Sequence, residues 1–131
     1  MGAWIKVDTK LFDHQKTFRL GKRLGMREHE EHYAALHIQA LWIWALDYYP
    51  SGVLPNDLEN GDSDLIARKC RWYGDSFTFV QSLVDVGFVD EDADGTLRIH
   101  DWEEWAGALL RSRAASVERM KKWRKGKSQN A

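Results

Sequence analysis

The chain has 131 residues, 44% hydrophobic and 30% charged, with a net charge of −1. That composition fits a soluble globular domain with a modest core and excludes a disordered chain. No apolar run approaches the roughly 18 residues of a membrane span. Near-neutrality hides a segregation of charge. Residues 1–27 hold seven Lys/Arg and two acids, residues 28–110 hold four and seventeen, and residues 111–127 hold eight and one. Basic ends around an acidic body point to contact with a polyanion, against the plainer reading of a solvated Lys/Arg-rich helix. Lys6 and Lys10 are not followed by an apolar segment of signal-peptide type, and the single Cys70 suits a reducing compartment. A cytoplasmic protein is expected.

Trp4-Ile5-Lys6-Val7-Asp8 alternates apolar and polar residues and predicts a short strand. Asp13 is placed to cap a helix over residues 14–24, with Phe18, Leu20 and Leu24 on its apolar face and Gly25 as its stop. A long helix is predicted over residues 28–48, because Tyr33, Leu36, His37, Ala40, Leu41, Trp44 and Ala45 recur at three-to-four spacing. Between Ala40 and Leu46 it is apolar nearly all round, as a central buried helix would be. Pro50 ends it, and Val53-Leu54 reads as a very short strand.

Asp62 or Ser63 caps a short helix over residues 64–70, and Trp72-Tyr73-Gly74-Asp75 makes a turn. Asp75 then caps a helix over residues 76–86, stopped by Gly87. Phe88-Val89 and Leu97-Arg98-Ile99, joined by Asp92-Ala93-Asp94-Gly95, predict a hairpin, since Asp-Gly between apolar runs is a strong turn signal. Asp101 reads as the N-cap of a helix over residues 102–125, with Trp102, Trp105, Ala106, Leu109 and Leu110 on its apolar face. Residues 126–131 read as a disordered end.

Helix, helix, hairpin in that order is the winged helix-turn-helix plan, with Val53-Leu54 as the third strand of its sheet. The expected fold is mostly α, of α+β type. A winged-helix domain would occupy residues 1–110, and a basic C-terminal helix and tail residues 111–131.

Four pieces of the chain carry a family resemblance. They are the opening Trp4-Ile5-Lys6-Val7-Asp8-Thr9-Lys10-Leu11-Phe12-Asp13, the aromatic Leu41-Trp42-Ile43-Trp44-Ala45-Leu46, the Gly87-Phe88-Val89-Asp90 that leads into the hairpin, and Leu97-Arg98-Ile99-His100-Asp101-Trp102-Glu103-Glu104-Trp105. Together they resemble the N-terminal winged-helix domain of phage replisome-organiser proteins and DnaD-like replication initiation proteins. The resemblance covers about residues 4–110. It implies a DNA-binding domain that helps start replication at an origin, through self-association and handover to a helicase or its loader. Members are typically longer, with a further region after the basic helix.

In a winged helix the second helix of the helix-turn-helix enters the major groove. Ser76, Thr78, Gln81, Ser82 and Asp85 are the expected exposed residues there, with Gln suited to adenine and Ser/Thr to phosphate or base edges. This helix has no Lys or Arg, and the wing tip carries Asp90, Glu91, Asp92 and Asp94, so insertion of the wing into a minor groove is not expected. Arg68, Lys69 and Arg71 could hold phosphates beside the groove, or pair with Asp64 or Asp75. The C-terminal helix is the stronger candidate, with Arg111, Arg113, Arg119, Lys121, Lys122, Arg124 and Lys125. Seven neutralised phosphates would give a log–log salt slope of roughly −6, at ~0.9 per phosphate.

Other constellations point elsewhere less strongly. His29 and His32, three apart, could present two imidazoles to a metal, but there is no HExxH and the lone Cys is distant in sequence. The acids 90–94 lack EF-hand spacing, and His100-Asp101 reads as a helix start. No nucleophile–base set or phosphate loop stands out, so neither an enzyme nor a cofactor is expected. Trp123, among Lys122, Arg124 and Lys125, is suited to stack on a base or to bury against a partner subunit. Expected partners are double-stranded DNA, with single-stranded DNA as a second ligand class, replication proteins, and further copies of the chain as a dimer or higher oligomer, but no membrane. Two alternatives share the fold: a transcription regulator, and a protein–protein module that does not touch DNA.

Overall fold

The computed structural model describes residues 10–129. In chain order these form α1 (Gln15–Arg23), α2 (Ala34–Tyr48), β1 (Val53–Leu54), α3 (Asp62–Lys69), α4 (Ser76–Val86), β2 (Val89–Glu91), β3 (Leu97–Ile99) and α5 (Trp102–Gln129). Single 3₁₀ turns, Leu11–Asp13 and Glu31–Tyr33, precede α1 and α2. The architecture is mostly helical, with a small antiparallel sheet and a long C-terminal helix. The expected strand at Trp4 to Asp8 lies outside the described residues. The chain divides into two compact units, one closing at His100 and the other opening at Asp101.

The first helix is capped by His14 rather than Asp13. Asp13 is held inside the 3₁₀ turn, and the His14 Nδ1 accepts from the Lys16 N–H at 3.1 Å. Thr17 is buried and donates its hydroxyl to the Leu11 carbonyl at 2.6 Å, which fixes the turn onto α1. Gly21 faces the second 3₁₀ turn so closely that the two backbones nearly touch.

The second helix starts at Ala34, six residues later than its periodicity predicts. His29 sits at φ 70°, a left-handed conformation that a right-handed helix cannot contain. Glu28 and Glu30 therefore lie in a connection rather than a first helical turn, and His29 and His32 share no helix face. No group of three or more His, Cys, Asp or Glu suited to a metal occurs among the described residues. Glu31 is buried and pairs with Lys22 of α1 at 3.2 Å. Ala35, Ile38, Leu41 and Ala45 are fully buried, but Leu36 and Ile43 are exposed. The helix is central yet keeps one apolar strip at the surface.

The sheet runs in the order β1-β3-β2, antiparallel throughout, pairing Val53 with Arg98, Leu54 with Leu97, and Val89 with Ile99. Leu54, Val89, Leu97 and Ile99 are buried while Asp90 and Arg98 are exposed, the alternation of a sheet with one wet face. At the hairpin tip the Gly95 N–H reaches the Asp92 carbonyl and the Asp92 N–H the Thr96 carbonyl, both at 2.9 Å. Gly95 supplies the left-handed residue that this closure needs, at φ 85°.

Gly61, at φ 78°, precedes α3, so neither Asp62 nor Ser63 is its cap; both lie within the first turn. The fourth helix has the predicted bounds, and the Asp75 carboxylate accepts from the Thr78 N–H at 2.8 Å. Gly87, at φ 98°, closes it, with the Gly87 N–H on Val84 and the Phe88 N–H on Leu83. Phe79 and Leu83 of α4 are fully buried, as are Ile66, Ala67 and Cys70 at the end of α3. α5 runs on through Gly126 to Gln129, past its expected end at Lys125. Asp101 before it stands at φ 52°, not in the extended conformation of a usual N-cap.

Candidate nucleic-acid interface

The α3–α4 turn is held from within. Trp72 stacks on Phe79 at 5.7 Å between ring centroids, and the His37 ring meets both edge-on at 5.5 and 6.0 Å. The His37 Nδ1 lies 2.7 Å from the Cys70 carbonyl, an acceptor only, so that nitrogen carries the proton. Arg68 donates to the Trp72 carbonyl at 2.6 Å and the Gly74 carbonyl at 3.4 Å, with Asp64 at 3.8 Å. Its guanidinium closes the turn and takes the expected acidic partner. Lys69 and Arg71 are exposed with no ion pair among the described residues. Arg71 stands at φ 64°, in the position after α3 where glycine is usual.

Two expected base-reading residues are not available on α4. Ser76 is buried and hydrogen-bonds Asp64, tying α3 to α4, and Ser82 is buried as well. The helix turns them inward because they lie beside the core positions Phe79 and Leu83. Thr78 is exposed but its hydroxyl is engaged by the Asp75 cap at 2.6 Å. Gln81 donates to Asp85 at 2.9 Å, and Asp85 also holds Arg23 of α1 at 3.1 Å. The outer face of α4 offers Phe77, Thr78, Gln81 and Asp85, with no cation. The hairpin is acidic, as expected, although Asp92 pairs with Arg98 and Asp90 with His100, each at 2.8 Å. The Asp94 carboxylate is held below the ordinary carboxylate range by hydrogen bonds from Thr96.

The cations gather on α5. At 3.6 residues per turn, Arg111, Lys122 and Lys125 share one side, and Val117, Met120 and Trp123 the opposite side. Arg119 and Lys121 lie on the flanks between them, while Arg113 and Arg124 fall near the apolar side. All of these cations except the half-buried Arg113 are exposed. Glu118 neutralises part of the basic side through Lys121 at 3.7 Å, and Glu103 approaches Arg111 at 4.0 Å. Trp123 is 58% exposed.

One surface escapes the sequence reading. A cleft of about 110 Å³ runs between α4, the hairpin and the segment 56–63, lined by the apolar Leu58, Phe77, Val80, Val84 and Leu97 and by the polar Asn56, Ser63, Gln81 and Glu91. Its signal was present in the spacing of Phe77, Val80 and Val84, a second apolar strip beside the core strip of Phe79 and Leu83. Comparison with protein-family models, with characterised proteins and with solved structures finds no match to this chain.

Proposed function

We propose that this chain is a winged-helix DNA-binding domain whose main electrostatic contact is the basic side of α5. The helix–turn–helix of α3 and α4, followed by the β2–β3 hairpin with β1 as third strand, supports the winged-helix reading. The observation that carries the DNA reading is the exposed array Arg111, Lys122 and Lys125, flanked by Arg119 and Lys121. Such an array binds phosphates without reading bases. Lys69 and Arg71 add a second, smaller contact. The uncharged or acidic outer face of α4 argues for weak sequence discrimination. A role in starting replication rests on the family resemblance of the sequence alone.

Fluorescence anisotropy with random duplex and with single-stranded DNA at two salt concentrations tests this. The expected log–log salt slope is about −6 for seven phosphates. Reversing three exposed charges, Arg111→Glu, Lys122→Glu and Lys125→Glu, should abolish most of the affinity, whereas Gln81→Ala should change it little. Unchanged binding by the triple variant overturns the reading.

A further inference from the structure

We propose that the cleft between α4 and the hairpin is the docking site for the distal part of α5 from a second copy of this chain. The cleft is apolar at Leu58, Phe77, Val80, Val84 and Leu97, and two of these residues are open to water: Phe77 is 64% and Leu58 57% exposed. Its surroundings are acidic. Glu91 lines it, and Asp57 and Glu59 flank Leu58. Glu59 and Glu91 have no ion-pair partner among the described residues. An acidic rim repels the DNA phosphates that the second helix of a winged helix would meet, so α4 is not built for that ligand. It suits a helix that is apolar on one side and flanked by Lys and Arg.

The chain carries such a helix. Val117, Met120 and Trp123 recur at intervals of three on one side of α5, each at least half exposed. Lys121 and Arg124 lie beside them, opposite in sign to the acidic rim. The charges complement each other at the scale of whole segments too: residues 28–110 have a net charge of −13 and residues 111–127 one of +7. The lengths agree, since Val117 to Trp123 spans about 9 Å along a helix and Phe77 to Val84 about 10.5 Å, at 1.5 Å per residue. Docking an amphipathic helix into a groove is a common mode of recognition, with one aromatic as anchor. Two copies related by a two-fold axis make the contact twice. Docking leaves Arg111, Lys122 and Lys125 open to DNA, because they lie on the side of α5 away from the docked strip, while Lys121 stands between the two sides.

The test is sedimentation velocity across a micromolar concentration series on the full chain, on Phe77→Lys and on Met120→Asp, with the fold of each checked by circular dichroism. Both substitutions lie at exposed positions. The wild type should move from 15.2 kDa towards twice that mass, and each variant alone should stay monomeric. Mixing the two variants should restore a weaker dimer, because the intact helix of Phe77→Lys and the intact cleft of Met120→Asp remake one of the two contacts. A wild type that stays monomeric throughout overturns the proposal. So does a dimer abolished by only one substitution, which would mean helix-to-helix or cleft-to-cleft contact, or a mixture that fails to pair.

Discussion

Gly21→Ala separates local preference from tertiary constraint. Position 21 lies inside α1, where helix propensity alone favours alanine over glycine by about 1 kcal/mol. A Cβ at this position would lie 2.6 Å from both the Cα and the carbonyl oxygen of Glu31, and 2.7 Å from its Cβ. Carbon atoms pack at roughly 3.5–4 Å, so the overlap is on the order of 1 Å. Two of the three atoms are backbone, and the Glu31 side chain is held by Lys22, so no flexible group can move aside. Overpacking of this kind costs about 1–3 kcal/mol. The upper part of that range, less the propensity gain, leaves a net loss of about 1–2 kcal/mol. Urea denaturation should show the midpoint fall, and a thermal melt should fall by about 3–5 °C per kcal/mol. Gly126→Ala in α5 is the control, since nothing lies within 4 Å of a Cβ there; propensity acts alone and the helical signal should rise. A Gly21→Ala protein as stable as the wild type, or more so, would refute the close approach of α1 to the 3₁₀ turn.

Other expected outcomes follow from single residues. The Glu31 carboxyl is held below its ordinary value of 4.5, chiefly by its own backbone N–H and then by Lys22. A depressed folded-state value means that the carboxylate stabilises the fold above pH about 4.5 and ceases to do so as the pH falls through the folded value. Glu31→Gln should therefore melt below the wild type at neutral pH, and the gap should close in acid; a gap that is constant with pH contradicts this. Burial pushes the Cys70 thiol up to about 12, so a thiol reagent at pH 8 should label the native protein only as fast as it opens, and labelling at the rate of a free thiol would contradict its burial. Arg71→Gly removes a side chain from a left-handed position and should raise stability by about 0.5–1 kcal/mol while weakening DNA binding. Unchanged affinity would leave Arg71 out of the interface.

α4 and the hairpin were legible because their boundaries are local chemistry. Asp75 caps α4 through its own Thr78, Gly87 adopts the left-handed closure, and Gly95 makes the hairpin tip. The short β1 strand was also legible, as the apolar pair Val53-Leu54 set between Gly52 and Pro55. The start of α2 was not. Residues 28–30 keep helical periodicity, yet His29 turns left-handed while Glu31 packs into the face of α1 at Gly21. That contact joins segments ten residues apart, and no local pattern announces it.

The candidate interface divides along the same line. The sequence alone determined where the cations lie, because charge and helical spacing are properties of the chain: Arg111, Lys122 and Lys125 align on α5 whatever it touches. Only the tertiary structure decided which residues of α3 and α4 can meet a ligand. Ser76 and Ser82 are small polar residues that could face either way, and packing of α3 on α4 buried them. Arg68 was spent on the Trp72 and Gly74 carbonyls, which come within its reach only once the turn has formed. Phe77 and Leu58 look like core residues in the sequence. They stay in water because the core of α4 is already filled by Phe79 and Leu83 on its other side. Exposure is the outcome of competition between faces for one interior, and that competition is settled only when the elements pack.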